Sequence, residues 1–137
     1  MKISEIMTQE VKTVRPEQSL RDAAKLMADI DSGALLVSEG DRLVGMITDR
    51  DITVRAVAKG MGCDSPVREV MTPKVLYCFE DEDVDQVAEN MADIQKRRLP
   101  VLSRDKRLVG VVSLGNIAST HDRKVCATVL EGVATAH

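Results

Sequence analysis

The sequence predicts an α+β fold made of two copies of one small unit related by pseudo-twofold symmetry, and three observations carry that reading. The first is internal repetition: Glu5-Ile6-Met7-Thr8 returns as Glu69-Val70-Met71-Thr72, and Met27-Ala28-Asp29-Ile30 as Met91-Ala92-Asp93-Ile94, both 64 residues on. After one added residue in the second copy's turn the spacing becomes 65, and Arg42-Leu43-Val44-Gly45 matches Arg107-Leu108-Val109-Gly110. The second is that each copy alternates short β-type runs with helical stripes. The third is size: 137 residues suffice for one unit with a sizeable core but not for two ordinary domains, so the halves are expected to pack together around a cleft.

Each copy reads as turn, strand, helix, strand, hairpin turn, strand, helix. Residues 11–14 form a brief strand stopped by Pro16, which bends the chain and cannot continue a ladder. Leu20, Ala23, Ala24, Met27 and Ile30 then recur at helical spacing while Arg21, Asp22, Lys25 and Asp29 fall off the stripe. Ser19 and Asp22 have capping-box spacing, and Asp83 with Gln86 supplies a related cap for the second stripe of Val84, Val87, Ala88, Met91 and Ile94. The apolar runs 34–37 and 43–48 flank the polar turn 38–41, and runs 99–102 and 108–113 flank 103–106, both hairpin patterns. A last helix starts at residues 49–51 and runs toward Lys59, where Gly60 and Gly62 stop it. These boundaries predict repeats over 1–62 and 67–120, a linker over 62–66, and a segment over 121–137 that is either a closing helix or a partly ordered tail, with Val125, Thr128, Val129 and Val133 as its apolar positions.

Composition excludes several function classes. A net charge of -3 and no basic tail argue against nucleic acid or an anionic membrane as partner. Aromatic residues make up 1% of the chain, so base-stacking platforms are lacking. Three widely spaced cysteines, Cys63, Cys78 and Cys126, form neither a disulfide framework nor a CxxC motif, which fits a reducing cytoplasm. No run reaches membrane-spanning length and no leader pattern opens the chain, so the expectation is a soluble, unprocessed protein.

The strongest local motif is Gly45-Met46-Ile47-Thr48-Asp49-Arg50-Asp51, echoed by Gly110-Val111-Val112-Ser113-Leu114-Gly115-Asn116. Both place a hydroxyl where a strand enters a helix and a polar side chain three residues later. One reading is purely structural: Thr48 with Asp51, and Ser113 with Asn116, cap helix amides. The other is recognition of a nucleotide, the hydroxyl meeting phosphate and the carboxylate a sugar diol, with Arg50 and Arg55 adding positive charge.

These linked motifs resemble a tandem cystathionine-beta-synthase (CBS) domain pair, or Bateman module, over about residues 1–120. The matching segments are Met7-Thr8, Ala23-Ala24, Ala34-Leu35-Leu36-Val37 and residues 45–51 in one copy, and Met71-Thr72, Val87-Ala88, Arg98-Leu99-Pro100-Val101 and residues 110–116 in the other. The resemblance implies small mixed sheets with packed helices, a disc-like homodimer, and a non-catalytic sensor that binds AMP, ADP, ATP or another adenosine derivative between the repeats and regulates a protein partner. Carried over by position, it gives Thr48 to phosphate and Asp51 to ribose, with Thr13, Gly33, Ala34 and Leu36 around the adenine. In the second copy Ser113 takes phosphate and Asn116 ribose, with Leu76, Arg97, Arg98 and Pro100 nearby. Two departures stand out: Asn116 lacks the carboxylate and Leu114-Gly115 replaces the more polar Asp49-Arg50, which makes the second pocket weaker or empty, and Leu36 replaces a proline frequent in first repeats.

The remaining chemistry-bearing residues read as structural. Met27 and Met91 lie on apolar stripes. Cys78 ends a strand, Cys63 is a linker thiol, and Cys126 has no paired base. His121 beside Asp122 does not make a zinc site. The run Glu80-Asp81-Glu82-Asp83 reads as a solvated face, with metal binding as the lesser alternative. Against the sensor stand a structural interaction module whose caps persist without ligand and, last, a small enzyme.

Overall fold

The computed structural model describes residues 1–119 and 123–135. Its two compact units do not follow the two repeats: one is Lys12–Val75, and the other joins Met1–Val11 to the chain from Leu76 onward.

In the first unit, β1 (Thr13–Val14), β2 (Ala34–Glu39) and β3 (Arg42–Thr48) form a sheet in that order, β1 parallel and β3 antiparallel to the central β2. This is a small mixed sheet of the kind the resemblance implies. Helix α1 (Leu20–Ile30) begins at Ser19, whose side chain accepts from the Asp22 amide at 3.1 Å. Leu20, Ala23 and Met27 are buried against Val14, Leu35, Val37 and Ile47, whereas Ala24 and Ile30 are exposed, so the α1 stripe is narrower than its periodicity predicts. After β3 the chain makes α2 (Asp49–Asp51), widens into a π turn over Ile52–Ala56 and tightens into a 3-10 turn over Val57–Lys59. Gly60 at φ 75° ends it, a conformation that costs glycine little. The linker is ordered: Leu20 N donates to Ser65 O and Arg21 pairs with Asp64 at 2.7 Å.

The second unit repeats the pattern with β4 (Cys78–Phe79), β5 (Arg98–Leu102) and β6 (Leu108–Ser113), helix α3 (Val84–Ile94) and short helix α4 (Leu114–Ala118). The α3 cap differs in detail from expectation: Asp83 accepts from the Asp85 amide at 3.0 Å, and Gln86 bonds instead to Asn90. Helix α5 (Arg123–Thr135) lies where a helix or a tail was expected. Its Val129 and Val133 are buried with Val87, Ala88 and Met91 of α3, which is why the α3 stripe is covered more fully than that of α1.

The first residues of the chain belong to this second unit. Ile3 is fully buried in its core, and Thr8 exchanges backbone hydrogen bonds with Val111 at 2.9 Å in both directions. The equivalent residues of the other copy do the same for the first unit, Thr72 bonding both ways to Met46 while Val67 and Val70 are buried with Val14 and Leu20.

The acidic run divides its roles. Asp83 caps α3, while Asp81 receives Arg104 Nε at 2.9 and 3.0 Å. That hydrogen bond holds the Asp81 carboxyl below the usual range. The pair therefore contributes stability above that range and loses it as pH falls through the lowered value. In urea titrations from neutral into acid pH, Asp81→Asn is expected to respond less steeply than the parent; superimposable acid limbs would refute this. Among the described residues no three His, Cys, Asp or Glu side chains gather as a metal site, and no helix is long and apolar enough to cross a membrane.

Candidate functional site

Strand alternation sorts the first sheet into two faces. Val14, Leu35, Val37 and Ile47 point into the core. Their neighbours Thr13, Ala34, Leu36, Met46 and Thr48 therefore share the other face. The register makes them contiguous, with Thr13 beside Leu36, Leu36 beside Met46, and Ala34 beside Thr48. Thr13 is oriented further by Ser38, whose hydroxyl donates to Thr13 Oγ1 at 3.0 Å.

Thr48 is the N-cap of α2 and forms a reciprocal box with Asp51: Thr48 Oγ1 accepts from the Asp51 amide, and Asp51 Oδ2 accepts from the Thr48 amide, both at 3.0 Å. Arg55, placed by the π turn, stands 3.7 Å from Asp51 Oδ1 and donates to Val70 O at 3.4 Å. The Asp51 side chain is 16% exposed, so this carboxylate is reachable yet already oriented. Gly33 closes the group. Its carbonyl accepts from the Asp49 amide at 2.9 Å, and an added Cβ would stand 2.8 Å from Asp49 Oδ2. All seven residues expected at the first site, Thr13, Gly33, Ala34, Leu36, Thr48, Asp51 and Arg55, thus lie within one unit around one sheet face and its helix entrance.

The second unit copies this arrangement with different chemistry. Leu99, Val101 and Val112 point into the core, leaving Arg98, Pro100, Val111 and Ser113 on the opposite face, with Arg98 directly across from Ser113. Asn116 Oδ1 accepts from the Ser113 amide at 2.8 Å and from its hydroxyl at 2.9 Å. Asn116 Nδ2 donates to Thr8 Oγ1 at 3.4 Å. The Arg97 carbonyl accepts from the Leu114 amide at 2.9 Å, the counterpart of Gly33 with Asp49. Leu76 lies one residue before the position equivalent to Thr13: because Cys78 pairs with Val101 as Val14 pairs with Val37, that position is Tyr77.

Sequence reasoning quoted Met46, Val111, Thr8 and Thr72 within its motifs but did not show that Thr72 pairs with Met46 and Thr8 with Val111. The signal was present in Gly45 and Gly110, where a Cβ would stand 2.9 Å from Thr72 O and 2.7 Å from Thr8 O respectively. Both glycines are there to let a second backbone approach the strand.

The described thiols, Cys63 in the linker and Cys78 in β4, have different surroundings. Burial, followed by the charge of Glu82, pushes the Cys78 thiol up to about 12. Cys63 is exposed and accepts from Arg21 NH2 at 2.8 Å. His121, Asp122 and the Cys126 side chain lie outside the described residues.

Comparison with known proteins bears on this geometry. A model of the CBS domain family matches residues 3–57 and again 67–121. The CBS domain-containing protein YhcV of Bacillus subtilis is 39% identical over 116 residues, which are 85% of this chain and 82% of that protein. Among solved structures, the CBS domain pair of protein MJ0100 in complex with 5-methylthioadenosine and S-adenosyl-L-methionine is 30% identical, with a TM-score of 0.72 over 90% of this chain and 98% of that one. CBSX2 in complex with AMP is 26% identical, with a TM-score of 0.74 over 87% and 94%. Two family matches in tandem, two mixed three-stranded sheets and duplicated strand-to-helix caps lead to one conclusion: the chain belongs to the CBS domain family and is a CBS pair.

Proposed function

We propose that this CBS pair is a non-catalytic regulatory module that binds an adenosine-containing ligand, AMP, ADP, ATP or a relative of them, at its strand-to-helix entrances. The observation that carries the reading is Thr48 and Asp51 poised at the edge of the contiguous face of Thr13, Ala34 and Leu36. A hydroxyl beside a carboxylate suits phosphate next to a ribose diol, and the apolar strand positions suit a purine ring. The adenosine ligands named for MJ0100 and CBSX2 support the same class. Binding would regulate by favouring one arrangement of a homodimer or of a complex with a protein partner. Free Cys63 and Cys78 support a cytoplasmic setting.

Calorimetric titration of the full chain with AMP, ADP, ATP, NADH and S-adenosylmethionine is expected to show at least one saturable interaction. Asp51→Ala should weaken it on the order of tenfold or more and cost about 1 kcal/mol of stability through the lost cap. Asp51→Asn separates the two effects, since Asn116 shows that asparagine completes the same box: stability should hold while affinity falls. Saturable binding by none of the five would sink the reading.

The completeness of both boxes favours a second reading, a structural interaction module, because Thr48, Asp51, Ser113 and Asn116 already satisfy one another. It predicts partner capture that nucleotides leave unchanged.

A further inference from the structure

We propose that the two entrances divide ligands by charge: the Ser113 entrance takes the polyphosphate of a nucleoside di- or triphosphate, and the Thr48 entrance takes an adenosine derivative with at most one phosphate. This rests on the nucleotide reading and deepens it.

The repeat permits a position-by-position comparison. Residues 31–34 and 48–51 of the first unit correspond to 95–98 and 113–116 of the second, as the paired registers and the matching carbonyl contacts of Gly33 and Arg97 show. Over these positions the first unit carries Asp31, Asp49 and Asp51 with Arg50 as its one cation. The second carries Lys96, Arg97 and Arg98 and no carboxylate. Asp29 and Asp93 occupy equivalent places and cancel from the comparison.

The largest difference falls next to the hydroxyl. Across from Thr48 stands Ala34; across from Ser113 stands Arg98, its side chain on the same sheet face. Lys96, Arg97 and Arg98 are exposed, and no ion pair or side-chain hydrogen bond engages them among the described residues. A guanidinium in that position meets phosphate oxygens bidentately, and its neighbours add the field a multiply charged chain requires. At the first entrance Arg55 is already paired with Asp51, and Asp49 leans over Gly33, so additional phosphates would meet carboxylates. Loss of the carboxylate at Asn116 is thereby offset by cations rather than leaving an idle pocket.

The test gives the second turn the first turn's residues. The full chain and the double variant R97G/R98A are titrated with AMP, ATP and sodium tripolyphosphate at low and moderate salt, with thermal unfolding as the fold control. The parent should bind ATP roughly tenfold tighter than AMP at one class of site, in a salt-dependent manner, and the double variant should lose that preference while AMP affinity at the other class stays unchanged. Ala34→Arg should add an ATP preference at the first entrance. An unchanged ATP-to-AMP ratio in R97G/R98A overturns the charge division while the nucleotide reading stands. Tripolyphosphate binding as tightly as ATP also overturns it, in favour of a bare anion site. If neither AMP nor ATP binds the parent, the charge division falls, and the nucleotide reading falls with it only when ADP, NADH and S-adenosylmethionine also fail to bind.

Discussion

Gly132→Ala is expected to destabilise the protein by about 2 kcal/mol, measured by chemical denaturation and by a fall in melting temperature. A Cβ at this position of α5 would run into the Cα, carbonyl oxygen and Cβ of Ala92 on α3. Two of those atoms are helix backbone, which cannot step aside as a flexible side chain could. Either α5 is pushed away and Val129 and Val133 lose their burial, or α3 shifts within the core. Gly115→Ala provides the control. Its Cβ would meet only Ser113 Oγ at 3.6 Å, and alanine favours helix by up to about 1 kcal/mol, so no loss is expected. Equal stability of Gly132→Ala and the parent would mean that α5 does not pack on α3 at this point.

Gly110→Ala is expected to cost about 1–3 kcal/mol and to free the first residues of the chain from the second unit. The new methyl would stand 2.8 Å from Met7 Sδ, which can swing away, and 2.7 Å from Thr8 O, which cannot without breaking its 2.9 Å bond from the Val111 amide. Hydrogen exchange should therefore accelerate at Val111 and leave Met46 protected. Gly45→Ala reverses the pattern, because its methyl meets Thr72 O at 2.9 Å. Acceleration at both amides in either variant would count against two separately clamped strands.

The α3 stripe, most of the α1 stripe, both hairpins and the Thr48 to Asp51 box were legible because each depends on neighbours in sequence or on a fixed periodicity, whereas the mixed sheets, with their parallel outer strands, were implied by the family resemblance. What escaped depends on long-range packing. A spacing of 64 shows that Thr8 and Thr72 are equivalent, but not that each closes on the sheet of the other copy. Ala24 and Ile30 share the stripe that α3 buries, yet no local rule reveals that α5 supplies the cover on α3. The π turn that places Arg55 looks in sequence like ordinary helix. Leu76 was placed near the second entrance, and only the strand register shows that its neighbour Tyr77 holds the position of Thr13, because a two-residue strand is too short for alternation to fix its phase.

The exchange of opening segments bears on the order in which the protein takes shape during translation. Residues 12–75 leave the ribosome as one uninterrupted stretch containing every part of their unit. The other unit unites residues made before that stretch with residues made after it: Ile3 and Val133 sit in one core. Its opening segment must therefore wait for its backbone partners, Glu80, Glu82 and Val111, all of which follow the first unit in the chain.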